Sequence, residues 1–319
     1  MWHQYPELGE NLDKVETIIE SSLKSKNKPL EKLLKTLSNA GGKRLRPAFV
    51  ILSAGFGKAR DDRLWTAAAG IEILHMATLV HDDIIDDAGM RRGKPTINRL
   101  HGDKMAVYMG DYLLTRAVSL LSKAVPEKRL EQIAKGIKSI CEAEVEQFCS
   151  RFDTGVSIVT YLKRIGRKTA AMFSFSCAEG AFLSKTPQKH VRNLAKFGFY
   201  YGMAFQIQDD ILNLTQDIEK TGKPKGNDIQ EGVITLPLIL ALRKNKEFSG
   251  RVEQMLASKK LEQKDVEWII EEITRLGGID EARTWIDRYV QKALKMLKPL
   301  PNKPEKKILT DLALRLESY

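Results

Sequence analysis

Residues 67–80 and 194–214 are apolar on almost every face, and each run closes in aspartates: HDDIIDD begins at His81 and QDDIL begins at Gln208. An ordinary surface helix does not have that composition. A helix without a polar face has to lie inside a core made by other helices, so two such segments call for a large bundle around them. The remaining chain supplies it. Val266, Ile269, Ile270 and Ile273 recur at the i, i+3, i+4, i+7 spacing of one helical face, and Trp285, Ile286, Tyr289, Val290, Ala293, Leu294 and Leu297 repeat the pattern. Pro47, Pro95, Pro126, Pro187, Pro224, Pro237, Pro299 and Pro301 mark breaks between helices. No alternating strand, solenoid repeat or low-complexity linker is visible, so one all-α domain over residues 1–319 is expected.

With 319 residues and 43% hydrophobic content, the chain can bury such a core. Cys141, Cys149 and Cys177 form no CxxC pair and no metal-ligand spacing, and read as free thiols of a cytosolic protein. The opening stretch MWHQYPELGENLDKVE lacks an apolar signal segment, and no run reaches bilayer-spanning length, which adds to the cytoplasmic expectation. The net charge of +11 suits nucleic acid, an anionic membrane surface or anionic small substrates, and does not choose among them.

The aspartates narrow the choice. If the helix continues through residue 87, Asp82 and Asp86 stack on one face with Cβ atoms roughly 5–6 Å apart. Asp83 and Asp87 form a second pair, turned by about 100°. Like charges at this spacing repel, more strongly where water is scarce, so something positive has to compensate. Arg91 and Arg92 are candidates, and so is a divalent cation. The second cluster favours the cation, because Asp209 and Asp210 end the other buried helix, preceded by Gln206 and Gln208. Carboxylates from two helices facing one cavity make a hard-oxygen site. Mg²⁺ suits it, since it takes one or two carboxylates and leaves its other positions to water and substrate phosphates.

Basic motifs complete the pattern. GGKRLRP at 41–47 sets Lys43, Arg44 and Arg46 beside paired glycines that let backbone approach an anion. These three cations cannot share one face, so some should point at a ligand and one at solvent. RRG at 91–93, Lys168 in RKTA and Lys223 in TGKPKGND add more. Singly each reads as a solvated charge; together with two carboxylate clusters they describe a site for more than one diphosphate. No GxxxxGK[ST] loop is present, which excludes a P-loop phosphate site.

These motifs resemble the trans-isoprenyl diphosphate synthases, the polyprenyl synthetase family, over most of the chain. The matching elements, in order, are GGKRLRP, DDIID with its RRG tail, GDYLL at 110–114, RKTA at 167–170, FQIQDDIL at 205–212 and GKPKGNDIQEGVITLP at 222–237. The resemblance implies an isoprenoid-synthase-type helical bundle around a deep central cavity. It implies a dimer, either a homodimer or a heterodimer. It also implies a prenyltransferase that adds isopentenyl diphosphate repeatedly to an allylic diphosphate. By motif, Asp82, Asp86 and Asp209 would ligate Mg²⁺, roughly three ions with substrates bound, with Asp83 and Asp210 in close support. Lys43, Arg46, His75 and Arg92 would hold isopentenyl diphosphate. Arg91, Lys168, Thr169, Gln206 and Lys223 would contact the allylic diphosphate or its surroundings. The cations would draw charge onto the leaving diphosphate in a site closed to water, where an allylic cation forms and is attacked by the isopentenyl double bond. No side-chain nucleophile is required, in keeping with the absence of a Ser-His-Asp or Cys-His arrangement.

Product length should follow the depth of the cavity beneath the first aspartates. In the family a bulky aromatic one turn before them stops growth early; here Ala77 and Thr78 stand there, and Leu74 or a residue of AVYMGDYLL is the next obstacle. The run from Ile71 to Ile97 looks most like the catalytic subunit of heptaprenyl diphosphate synthases, which make the menaquinone side chain with a small non-homologous subunit. Geranylgeranyl, hexaprenyl and octaprenyl or solanesyl synthases carry similar motifs. Two positions depart from the family: Asn213 ends the second motif where an aspartate is usual, and Val233 precedes TLP where a lysine is common, leaving Lys225 as a substitute cation.

Three other classes fit less well. A terpene cyclase needs no isopentenyl diphosphate site and so no GGKRLRP or RRG. A non-catalytic synthase subunit would lose aspartates of the first motif, and all four are present. A nucleic-acid binder is suggested only by net charge, with no aromatic platform or recognition motif. The basic charge also suits peripheral association with an anionic membrane.

Overall fold

The computed structural model describes residues 2–38, 42–58, 62–91, 93–216 and 225–317. A 3₁₀ turn at Trp2–Gln4 leads into helices α1 (Pro6–Ser22), α2 (Lys28–Ser38), α3 (Leu45–Ala54) and α4 (Asp62–Ile85). A hairpin of β1 (Met90–Arg91) and β2 (Lys94–Pro95) follows, then α5 (Ile97–His101), α6 (Asp103–Ala124) and α7 (Glu127–Cys149). Next come α8 (Ile158–Ile165), a π-helical turn at Gly166–Ala170, α9 (Ala171–Leu183) and α10 (Gln188–Thr215). The chain ends with α11 (Asn227–Gln230), α12 (Leu236–Lys244), α13 (Lys246–Ala257), α14 (Gln263–Arg275), α15 (Gly278–Leu297) and α16 (Pro304–Leu314).

The fold is all-α, as the sequence implies. Prolines punctuate it as expected: Pro126 and Pro187 immediately precede helices, and Pro47 and Pro237 lie in first turns, where a missing N–H costs nothing. Pro224 lies outside the described residues. Within the fold lies a short antiparallel pair, with Met90 opposite Pro95 and Arg91 opposite Lys94. Two-residue strands are too short to leave an alternating pattern. Gly93, at φ 74°, takes the left-handed conformation such tight turns need.

The chain divides into two compact units. The first comprises Met1–Ile133, Phe173–Lys196 and Leu297–Leu309. Its centre is α4, which packs chiefly along α6 and also against α1 and α3. Ala67, Ala68, Ala69, Ile71 and Ile73 are wholly enclosed. Small residues allow the close approach: a Cβ on Gly70 would come within 2.9 Å of Leu121 Cγ. Phe49 and Phe173 meet edge to face at 5.2 Å in the same core.

The second unit comprises Ala134–Met172, Phe197–Met296 and Thr310–Tyr319. Its part of α10 carries an aromatic ladder, Phe197, Tyr201 and Phe205, with successive rings 6.3 and 6.2 Å apart. The stripe of α14 is buried as its spacing predicts, through Val266, Ile269, Ile270 and Ile273. Each such side chain contributes roughly 1.5–3 kcal/mol of apolar burial. Ile286, Tyr289, Val290 and Ala293 of α15 are buried likewise. Among the described residues, no helix is long and apolar enough to cross a membrane.

Candidate active site

In the first unit, the first aspartate cluster sits on the last turn of α4. Asp86 N–H donates to the Asp82 carbonyl at 2.9 Å, so this pair stacks one turn apart as expected. The expected second pair does not form. Asp87 turns into the left-handed region at φ 42°, its N–H donating to Ile84 O, while Ala88 N–H donates to Asp83 O. That is a Schellman close with aspartate in the position glycine usually fills, and it carries Asp87 off the face of Asp83.

Asp83 is instead matched by Arg91. The Arg91 Nε donates to Asp83 Oδ1 at 2.7 Å, and Nη2 lies 2.7 Å from the same oxygen. Asn98 Nδ2 donates to the Asp83 carbonyl at 3.1 Å, and Thr96 Oγ1 donates to Ala88 O at 2.6 Å, binding the end of α4 to α5 and the hairpin. His81 Nε2 lies 3.4 Å from Asp111 Oδ1 of α6. The glycine of GDYLL explains itself here: a Cβ on Gly110 would collide with the His81 ring.

The cations of GGKRLRP separate. Lys43 is exposed, and its carbonyl accepts the Trp2 indole N–H at 2.8 Å. Arg44 turns inward to Glu16 and Glu72. Arg46 is half-buried, its guanidinium 4.9 Å from the Phe173 ring centre. Further along α4, His75 is half-buried, Ala77 is buried, and the half-buried Thr78 donates its hydroxyl to the His75 carbonyl at 2.9 Å.

In the second unit, the adjacent aspartates of α10 have opposite environments: Asp209 is exposed and Asp210 is 5% exposed. Asp210 Oδ2 accepts the Tyr161 hydroxyl at 2.5 Å, and Oδ1 accepts Gln206 Nε2 at 2.9 Å. Gln206 Oε1 in turn accepts the Thr169 hydroxyl at 2.6 Å. Burial pushes the Asp210 carboxyl up to about 7, despite the two donors that favour its ionised form; the charge of Asp209 pushes the same way as burial. Burial, then the facing Asp210 carboxylate, pushes the Tyr161 phenol well above its ordinary range, and Asp228 adds to the effect.

Lys168 and Thr169 ride on the π-helical turn, a widening that often occurs at functional positions. Lys168 Nζ lies 2.8 Å from Glu144 Oε1 of α7. Asn213 serves the backbone: its Oδ1 accepts Asp228 N–H at 3.3 Å and its carbonyl accepts Gly226 N–H at 2.8 Å. Lys225 is exposed. Arg92 and Lys223 lie outside the described residues.

The structure thus joins Asp82 with Asp86, Asp83 with Arg91, and Thr169 with Gln206 and Asp210. Tyr161, Glu144, and the Glu16 and Glu72 partners of Arg44 were not legible in the sequence. Nothing in their local spacing marks them, and only the folded chain brings them to their partners.

The carboxylates fit a hard cation. The helix macrodipole is negative at a C-terminus, where carboxylates are unfavourable by about 0.3–1 kcal/mol each and basic residues are favoured. Neither α4 nor α10 has a basic residue in its last turn, yet both carry aspartates near that end. A divalent cation relieves that charge. Among the described residues no group of three or more His, Cys, Asp or Glu side chains forms a ready-made cage. Mg²⁺ characteristically draws only one or two carboxylates from protein.

Two buried helices tipped with carboxylates, in an almost wholly helical chain, define an all-α protein of the isoprenoid synthase fold. The chain belongs to the polyprenyl synthetase family, whose model matches residues 27–273. It is a prenyltransferase, a trans-polyprenyl diphosphate synthase. The chain is 39% identical to heptaprenyl diphosphate synthase component 2 of Geobacillus stearothermophilus, over 97% of this chain and 96% of that protein. It matches the crystal structure of heptaprenyl diphosphate synthase from Staphylococcus aureus with a TM-score of 0.94 at 39% identity, over 98% of each chain. It also matches a polyprenyl synthase from Caulobacter crescentus complexed with calcium and isoprenyl diphosphate, with a TM-score of 0.93 at 31% identity, over 98% of this chain and 95% of that one.

Proposed function

We propose that this chain is the catalytic component of a heptaprenyl diphosphate synthase, extending farnesyl diphosphate with isopentenyl diphosphate to supply the menaquinone side chain. The observation that carries the reading is its similarity, over nearly the whole length of both proteins, to a heptaprenyl diphosphate synthase component 2. A component 2 as relative supports a companion component, the small non-homologous subunit. Exposed apolar residues offer surface for dimer contacts: Val107, Tyr108 and Val118 on α6 in one unit, and Val145 and Phe148 on α7 in the other. The net charge of +11 suits peripheral contact with an anionic membrane that accepts an apolar product. One domain over residues 1–319, built around a deep central cavity, is part of the same reading.

Asp82, Asp86 and Asp209 would hold Mg²⁺, and the relative complexed with calcium and isoprenyl diphosphate supports the use of a divalent cation. When bound, the metal supplies Lewis-acid stabilisation of charge on the leaving diphosphate. Asp83 keeps Arg91 beside the first cluster. Asp210, through Gln206 and Thr169, fixes the donors that face the allylic diphosphate. Lys168, Arg91 and Lys223 add positive charge for that diphosphate, and Lys43, Arg46, His75 and Arg92 do so for isopentenyl diphosphate. The apolar faces of α4 and α10 exclude water that would quench an allylic cation. Ala77 and Thr78 leave room for the growing chain.

The test is product mass after incubation with Mg²⁺, farnesyl diphosphate and isopentenyl diphosphate, with and without the co-purified small subunit. Heptaprenyl diphosphate as the main product, formed only when the subunit is present, is the expected result. A geranylgeranyl or solanesyl product overturns the chain-length assignment. Full activity of the chain alone overturns the two-component reading.

A further inference from the structure

Arg44 sits between two residues assigned to one substrate, yet turns away from both. It has φ 47° and ψ 38°, a left-handed conformation costing a non-glycine residue roughly 1–2 kcal/mol. Such a conformation persists only where the surroundings over-determine it. Here they do. Arg44 Nε donates to Glu16 Oε2 at 2.8 Å and Nη2 to Glu16 Oε1 at 2.8 Å, a planar fork onto α1. Nη1 reaches Glu72 Oε1 on α4 at 3.2 Å. The side chains are 13% exposed for Arg44 and 6% for Glu72, so the bond to Glu72 is shielded from water, while the Glu16 side chain is 33% exposed. On the other side of the same loop, the Trp2 indole donates to the Lys43 carbonyl at 2.8 Å.

We propose that Arg44, Glu16, Glu72 and Trp2 form a clasp that sets the loop carrying Lys43 and Arg46, making them positioning residues for isopentenyl diphosphate. This rests on the reading that Lys43 and Arg46 bind that substrate. The inward turn at Arg44 holds the backbone between them. Lys43 is left exposed on one side, and α3 starts at Leu45 so that Arg46 enters its first turn. Lys43 has a long flexible side chain, and its backbone has to be fixed if the ammonium is to meet a diphosphate at small entropic cost. Two acidic partners from different helices and one indole donor do that without touching the substrate. A displacement of about 1 Å in such a binding group costs up to about 10²-fold in rate, so loosening the clasp should act on one substrate and spare the other.

The experiment measures KM for isopentenyl and allylic diphosphates separately, with kcat and helical content, in Glu16→Gln, Arg44→Lys and Trp2→Phe. These are assayed under the conditions in which the unaltered protein elongates. Arg44→Lys keeps the charge but loses the fork, and Trp2→Phe removes the indole donor while keeping an aromatic ring at a half-exposed position. The isopentenyl KM should rise about tenfold in the first two variants and about threefold in Trp2→Phe. The allylic KM should stay within about twofold. Unchanged isopentenyl KM in all three, or an equal rise in both KM values, overturns the clasp. Lys43→Ala and Arg46→Ala separate the two claims. If neither raises the isopentenyl KM, the site reading fails and the clasp falls with it. If both do while the clasp variants do not, only the clasp fails.

Discussion

Tyr161→Phe removes one oxygen from a buried network and little else. The ring stays, so the packing around a residue only 2% exposed is kept. What is lost is the donor 2.5 Å from Asp210 Oδ2, while Gln206 still donates to Oδ1 of that carboxyl group. Asp210 is itself 5% exposed, so water does not readily replace the phenol. Well above pH 7, where Asp210 is ionised, a hydrogen bond to a charged group is worth about 1.5–3 kcal/mol, and an orphaned buried acceptor stays near the upper part of that range. Urea denaturation followed by circular dichroism should show a loss of that size. In a double-mutant cycle with Asp210→Asn, the two substitutions should be non-additive by about 1 kcal/mol or more, because they break the same contact. A loss below about 0.5 kcal/mol, or strict additivity, would refute the reasoning, since Asp210 would then not depend on Tyr161.

The same carboxyl group predicts a pH dependence in protein kept free of metal with a chelator. Its folded-state pKa is raised from 3.8 to about 7, so folding favours the protonated form. The stability it contributes is fully present below pH 3.8 and is lost as pH rises to about 7, by up to about 4 kcal/mol at roughly 1.4 kcal/mol per unit. Asp210→Asn should remove that slope, and stability curves that coincide at every pH would contradict it. Ala77→Tyr should shorten the product, because the buried Ala77 lies little more than one turn before the first aspartates; unchanged product mass would remove Ala77 from the path of the growing chain.

The helices were readable because their burial is written in spacing. The stripe of α14 is buried residue for residue, and the two mostly apolar runs became parts of α4 and α10. The motifs were readable as chemistry, but not the way neighbours divide the work. Adjacent residues on a helix differ by about 100° in direction, so Asp209 and Asp210 face water and core respectively, and no letter pattern says which. Backbone turns were equally hidden. The left-handed angles of Arg44 and Asp87 fall on residues that usually avoid or only tolerate them, and they decide that Arg44 faces Glu16 and that Asp87 leaves Asp83. The hairpin at Met90–Pro95 and the π turn under Lys168 each involve too few residues to leave a period.

The central claim is that the carboxylates ending α4 hold the metal on which diphosphate departure depends. Its most direct test is the rate of isopentenyl incorporation by Asp82→Ala at saturating Mg²⁺, with circular dichroism on the same sample. The account predicts a loss of about 10³-fold or more with unchanged helical content. A variant that folds and keeps its rate within about tenfold of the original would contradict it.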